Sequence, residues 1–152
     1  MIYETRSARE TFALGQRIGR EAAAGSIYTL TGDLGVGKTV LTQGVADGLG
    51  ITETVCSPTF TIMQVYEGGR LPFYHFDVYR IGDVEEMEEI GYEDCFYGGG
   101  ICLIEWAELI SDILPGDCIS IRIEKDMAKG FDYRKITIDT PANQKIFRDD
   151  DI

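Results

Sequence analysis

Residues 31–43 read TGDLGVGKTVLTQ, and within them Gly32, Gly37, Lys38 and Thr39 stand at the offsets of G-x-x-x-x-G-K-[ST]. No other stretch constrains the fold as much. Glycines at those spacings let successive backbone N–H groups turn toward one anion, and a helix that follows adds its positive end. Such a loop works only between a buried strand and an α-helix. Both flanks comply. SIYTLT (26–31) is a short apolar and β-branched run that reads as a buried strand, and Val40, Leu41, Val45 and Leu49 recur at helical spacing. The pattern predicts a P-loop in which Lys38 neutralises the β- and γ-phosphates of a nucleotide and the Thr39 hydroxyl holds Mg²⁺.

The remaining chain fills out an α/β domain. Residues 7–24 place Phe12, Leu14 and Ile18 near helical spacing, with Ser7 as N-cap, Glu10 at the capping-box position and Gly25 as the stop. Two aromatic and β-branched runs, 57–67 and 70–80, are separated by Gly68 and Gly69 and predict an antiparallel hairpin. Residues 83–97 read as a helix with acids at its N-terminal end. Strands are predicted at 101–105, closing on Glu105, and at 118–124 and 134–140. From about residue 145 the tail is expected to fray. With no repeat or long linker, residues 1–152 read as a single domain, a three-layer P-loop NTPase-like fold with a mixed sheet of parallel strands plus an antiparallel hairpin.

Composition narrows the partners. The 152 residues carry 26 acids against 14 bases, net charge −12, and the bases do not cluster. A protein that grips nucleic acid alone needs a basic patch to release counterions, so strong direct RNA or DNA binding is not expected. Hydrophobic residues make up 44%, enough for a globular core. No apolar run approaches the ~18 residues that span a bilayer, and the first 25 carry charges throughout instead of a signal-peptide core. Four scattered cysteines without a C-x-x-C pair, and His75 as the sole histidine, argue against zinc and for reduced, mostly buried thiols. A cytoplasmic protein, monomeric when isolated, is expected.

A P-loop also needs a carboxylate at the end of a nearby strand to orient the metal. Asp77 closes FYHFD and Glu105 closes ICLIE, and one of each suggests one carboxylate on the metal and one near the attacking water; spacing does not say which. SPTFT (57–61) could sense the γ-phosphate as a switch does, or be a Ser-Pro turn entering a strand. Trp106, the sole tryptophan, follows Glu105 directly, which favours a place beside the nucleotide over one in the core.

GDLGVGKT, SPTFT, YHFDVYR and IEW occur here in the order and spacing of the TsaE (YjeE) family, which the chain resembles from about residue 5 to 140. These are small bacterial P-loop ATPases of tRNA threonylcarbamoyladenosine biosynthesis. The resemblance implies that ATP or ADP is bound by residues 34–39, that is Leu34, Gly35, Val36, Gly37, Lys38 and Thr39, with Val40 following. It implies that Thr39 and Glu105 hold Mg²⁺ and that Asp77 lies by the γ-phosphate, making Lys38, Asp77 and Glu105 the catalytic set. Adenine contacts near Ser7 and Thr11, and Trp106 at the nucleotide, complete the site. Phe131 stands where some members carry an arginine, and Arg134 is expected in its place. The implied partner is a TsaD–TsaB-type complex that performs the tRNA chemistry, which accommodates the acidic charge because the partners hold the RNA.

Two other readings use the same loop. A small-molecule kinase would need an Arg-rich lid, whereas the middle of this chain, DVEEMEEIGYED, is acidic. A GTPase would need an Asn-Lys-x-Asp motif, and the sole asparagine is Asn143. A nucleotide-gated scaffold, with turnover incidental, shares every motif and differs only in what hydrolysis accomplishes.

Overall fold

The structure, a computed structural model, describes residues 1–33, 35–56, 58 and 62–141. Seven strands, β1 (Ile2–Thr5), β2 (Ile27–Gly32), β3 (Met63–Tyr66), β4 (Phe73–Asp77), β5 (Ile101–Glu105), β6 (Ile119–Lys125) and β7 (Arg134–Asp139), form one sheet in the order β1-β7-β6-β2-β5-β4-β3. β2 lies at its centre and runs parallel to β5 and β6, and β5 runs parallel to β4. The outer pairs β3–β4, β6–β7 and β1–β7 are antiparallel. The mixed α/β sheet that the motifs call for is therefore present.

Helices cover both faces of the central strands. On one face lie α1 (Ala8–Glu21) and α2 (Lys38–Gly48), whose Leu14, Ile18, Leu41 and Val45 pack on Leu30, Leu103 and Ile121. On the other, α3 (Glu85–Glu89), α4 (Tyr92–Phe96) and a 3₁₀ helix (Ala107–Ile113) bury Met87, Phe96 and Ile110 against Ile27, Phe76 and Ile104. All five residues of β5 are buried, as expected of a strand covered on both sides. β6 instead alternates, with Ile119, Ile121 and Ile123 inward and Arg122 and Glu124 in solvent, because only one of its faces is covered.

α1 and α2 touch backbone to backbone. Gly15 and Gly19 on α1 face Gly44 and Gly48 on α2, and a Cβ at Gly15 or Gly19 would drive into the carbonyl oxygen of Leu41 or Val45. The i, i+4 spacing puts each pair on one stripe of its helix, so four side-chain-free positions form a continuous seam. This seam brings the first turn of α1 beside the first turn of α2.

The predicted helix at 7–24 ends earlier, at Glu21, but starts as expected: Ser7 Oγ accepts the Glu10 amide at 3.1 Å. Glu10 reaches back to the Arg6 amide at 3.0 Å, one residue before the cap. The predicted hairpin is present but shorter, because residues 67–72 loop out between Tyr66 and its register partner Phe73. That loop has a job elsewhere: Arg70 donates to the carbonyls of Gly19, Arg20 and Ala22, capping the C-terminus of α1, while its own amide donates to Leu49. The helix expected at 83–97 is broken into α3 and α4 by Gly91, whose φ of +73° an α-helix does not accommodate. β1 was not expected; IYET is a short edge strand on β7. The tail beyond residue 141 lies outside the described residues.

Candidate nucleotide site

β2 ends at Gly32 and α2 begins at Lys38, so the Gly-rich stretch joins the carboxyl end of the central strand to a helix N-terminus. Gly37 caps α2 in the left-handed region, at φ +111°, and Gly35 adopts φ +75°. A side chain at either would meet open space, so glycine is required there by the backbone turn and not by crowding. Gly32 differs: a Cβ would strike Val36 Cγ1 and the Ile123 carbonyl, so β6 and the loop close on it from both sides. Leu34 lies outside the described residues, as do Ser57, Thr59, Phe60 and Thr61 of the SPTFT segment.

Three side chains converge at the mouth of this loop. Lys38 Nζ lies 3.7 Å from Glu105 Oε1 and 5.3 Å from the centroid of the Trp106 ring. Asp77 and Glu105 are register partners in the parallel β4–β5 pair, so both emerge from the same face of the sheet at its carboxyl end. Asp77 Oδ1 accepts the Tyr79 amide at 3.1 Å, which fixes the carboxyl group at the strand's exit. Thr39 is exposed in the first turn of α2.

Trp106 holds φ +63°, and among the described residues it alone of the non-glycines has a positive φ. Such a conformation is costly for a bulky residue and persists only where surroundings enforce it. Here Tyr79 packs on the indole at 4.7 Å between centroids, and Lys38 lies over it, while 38% of the residue stays exposed. The left-handed turn lets the chain leave β5 and place the indole directly beside the loop.

Ser7, Ala8 and Thr11 from α1, Gly35, Val36, Gly37 and Val40 from the loop and α2, and Asp132 and Arg134 line one cavity of 190 Å³. The predicted adenine contacts are thus brought against the glycine loop, a juxtaposition that the helix seam makes possible. The Thr11 hydroxyl is engaged by Thr5 at 2.7 Å and Ser7 Oγ caps the helix, so both residues are held rigidly in the wall. Arg134 borders the cavity, but its guanidinium is occupied: Nε donates to Val36 O at 2.7 Å, and Nη1 to Phe131 O and Tyr133 O. Its evident work is to tie β7 to the loop. Phe131 is 75% exposed.

The residues fit a nucleotide with a divalent cation. The loop is a cradle of left-handed glycines opening onto a helix N-terminus, and Lys38, Thr39, Asp77 and Glu105 supply the charges and oxygens such a ligand requires. Among the described residues no group of three or more His, Cys, Asp or Glu side chains could hold a metal alone. A cation here would draw most of its ligands from phosphate oxygens and water, which is the habit of Mg²⁺.

One neighbour was missed by sequence reasoning. His75, considered there only as a scarce zinc ligand, is 1% exposed and sits 2.9 Å through Nε2 from Glu105 Oε2. The available signal was its place two residues before Asp77 on a strand, which puts both on one face. The expectation for the thiols is met at Cys95 and Cys102, which are buried, and at the partly buried Cys118, while Cys56 is exposed. No helix among the described residues is long and apolar enough to cross a membrane.

Comparison with known proteins identifies the family. The sequence model for "Threonylcarbamoyl adenosine biosynthesis protein TsaE" matches residues 5–136. The chain is 45% identical over 142 residues to the tRNA threonylcarbamoyladenosine biosynthesis protein TsaE of Bacillus subtilis, covering 93% of this chain and 87% of that one. It is 43% identical over 134 residues to the protein of the same name from Treponema pallidum, covering 88% and 96%. A crystal structure of YdiB from Bacillus subtilis superposes with a TM-score of 0.79 at 40% identity, covering 94% of this chain and 86% of that one. The glycine loop between β2 and α2, the paired strand-end carboxylates and these matches lead to one conclusion: the chain belongs to the TsaE family of threonylcarbamoyl adenosine biosynthesis proteins.

Proposed function

We propose that this protein is a Mg²⁺-dependent ATPase that supports threonylcarbamoylation of tRNA through a TsaD–TsaB-type complex. The observation that carries the proposal is the meeting of Lys38 and Glu105 at the mouth of the glycine loop, with Asp77 in register beside Glu105. When bound, Mg²⁺ supplies charge neutralisation on the phosphate oxygens. The chain's own residues do the rest. Backbone N–H groups of Gly35, Gly37, Lys38 and Thr39 bind the phosphate chain, aided by the positive end of α2, while the Val36 N–H donates to the Asp33 carbonyl. With nucleotide bound, Lys38 would turn from the Glu105 carboxylate to phosphate oxygens, and Glu105 and the Thr39 hydroxyl would hold the cation. Asp77, with Oδ1 engaged by the Tyr79 amide, keeps Oδ2 to accept a hydrogen from the attacking water. The cavity under Ser7 and Thr11 receives the base, with α1 as its wall.

Few cations adjoin the glycine loop: besides Lys38 and Arg134, Arg122 and Lys125 line the cavity beside Gly32 and Trp106. Lys38 is committed to the phosphates, and Arg134 to backbone carbonyls. An arginine finger contributes about 10³–10⁵-fold where present, so a low intrinsic rate, raised by the partner, follows. With a net charge of −12, tRNA contact falls to the partner complex. The test is steady-state phosphate release at saturating ATP and Mg²⁺, with and without the purified complex. Acceleration by the complex is expected. Equal rates would leave a self-sufficient ATPase, and an absence of turnover together with ATP-dependent partner affinity would favour a nucleotide-gated scaffold.

A further inference from the structure

A strand-end carboxylate can rotate, and one that would hold a cation is better presented when that rotation is stopped. This inference rests on the reading of Glu105 as a metal-orienting residue. We propose that His75 is a positioning residue that anchors Glu105 Oε2 and thereby presents Oε1 to the cation. The two side chains belong to neighbouring parallel strands and are both buried, His75 at 1% exposure and Glu105 at 6%. Their contact, 2.9 Å between His75 Nε2 and Glu105 Oε2, is within the range of a strong hydrogen bond. The other carboxylate oxygen faces Lys38 Nζ at 3.7 Å, on the side of the glycine loop. One oxygen is held from behind and one is offered forward.

The hydrogen's place follows from the surroundings. A carboxylate accepts and does not donate, so Nε2 must carry the hydrogen for the contact to be attractive. His75 Nδ1 is buried without a partner among the described residues. A hydrogen on Nδ1 would therefore be orphaned, and would at the same time leave two acceptors facing each other at Nε2. Both arguments select the Nε2–H tautomer. Phe73 lies parallel to the ring, at 4° and 6.2 Å between centroids. Groups that orient metal-binding side chains in this way typically change metal affinity or activity about 10–100-fold when removed.

Two measurements on the full chain decide the matter. Nitrogen-15 spectra of the sole imidazole are expected to show the Nε2–H tautomer; the Nδ1–H tautomer overturns the proposal even if nucleotide binding is normal. Calorimetry with a non-hydrolysable ATP analogue across a Mg²⁺ series then compares wild type, His75→Phe and His75→Gln. The Phe variant should bind the analogue without Mg²⁺ as wild type does and need about 10–100-fold more Mg²⁺ for the same tightening. The Gln variant, whose amide N–H can reach the carboxylate, should recover most of the difference. A folded Phe variant with wild-type Mg²⁺ demand overturns the proposal, as does one that loses metal-free binding to the same extent. A wild-type chain that binds no nucleotide refutes the ATPase reading, while the tautomer still decides the contact between His75 and Glu105.

Discussion

Asp77 and Glu105 are register partners across the parallel β4–β5 pair, and Glu105 Oε1 lies 3.7 Å from Lys38 Nζ at the start of α2. Two carboxylates fixed side by side differ in their partners. Glu105 is buried against His75 and Lys38, whereas Asp77 is half-buried with Oδ1 on the Tyr79 amide. These different surroundings are the basis for expecting different tasks. Glu105→Ala should abolish the tightening of nucleotide binding by Mg²⁺ while leaving metal-free binding in place. Asp77→Ala should bind ATP with wild-type affinity and lose turnover by about 10²–10⁴-fold, the range of a general base. Calorimetry with and without Mg²⁺, followed by phosphate release with the partner complex present, checks both; wild-type turnover in both variants contradicts the assignment.

The helix seam predicts an inverted sign. In an unencumbered helix interior, Gly→Ala gains about 1 kcal/mol. At Gly19 the added methyl meets the Val45 carbonyl and the Gly48 Cα, both backbone. Gly19→Ala should therefore cost about 1–3 kcal/mol, the usual range for overpacking. Thermal melts should show Tm falling by about 2–12 °C, since 1 kcal/mol shifts a domain of this size by about 2–4 °C. A raised Tm would mean that the helices do not touch as described.

Much of this was legible in the chain. The glycine loop required a strand before it and a helix after it; β2 lies within one residue of the predicted 26–31, and α2 contains Val40, Leu41 and Val45 of the predicted helical pattern. β5 was read to its last residue because its run of apolar positions ends abruptly in Glu105. What escaped was set by distant partners. β1 is four residues long and owes its conformation to pairing with β7, more than a hundred residues away. The loop after β3 is long because Arg70 caps α1, and nothing near Arg70 in sequence announces that. His75 lies within YHFDVYR, but nothing in that run names its partner, so its contact with Glu105 became visible only when β4 and β5 were paired.

Burial also sets a limit at alkaline pH. Desolvation, with a lesser contribution from Asp117, pushes the Cys118 thiol up to about 11 from its ordinary 9.0, and burial raises the Tyr28 hydroxyl to about 12 from 10.0. The folded chain keeps these protons where the unfolded chain has released them. The stabilisation is thus fully present below the ordinary values of 9.0 and 10.0 and is lost as pH rises through the folded ones. Urea midpoints should fall steadily above about pH 9, and Cys118→Ala should flatten the first part of that fall. An unchanged midpoint between about pH 9 and 11 would contradict it.

The central claim is that the loop from Gly32 to Thr39 is a nucleotide cradle whose charge comes from Lys38. Calorimetric titration of ATP with Mg²⁺ into the wild-type chain and into Lys38→Ala tests it most directly. Charge-assisted hydrogen bonds contribute about 1.5–3 kcal/mol, so the variant should bind at least about tenfold more weakly. One-to-one binding by wild type and that loss in a folded variant is the predicted result; equal ATP affinity in the two proteins would contradict the account.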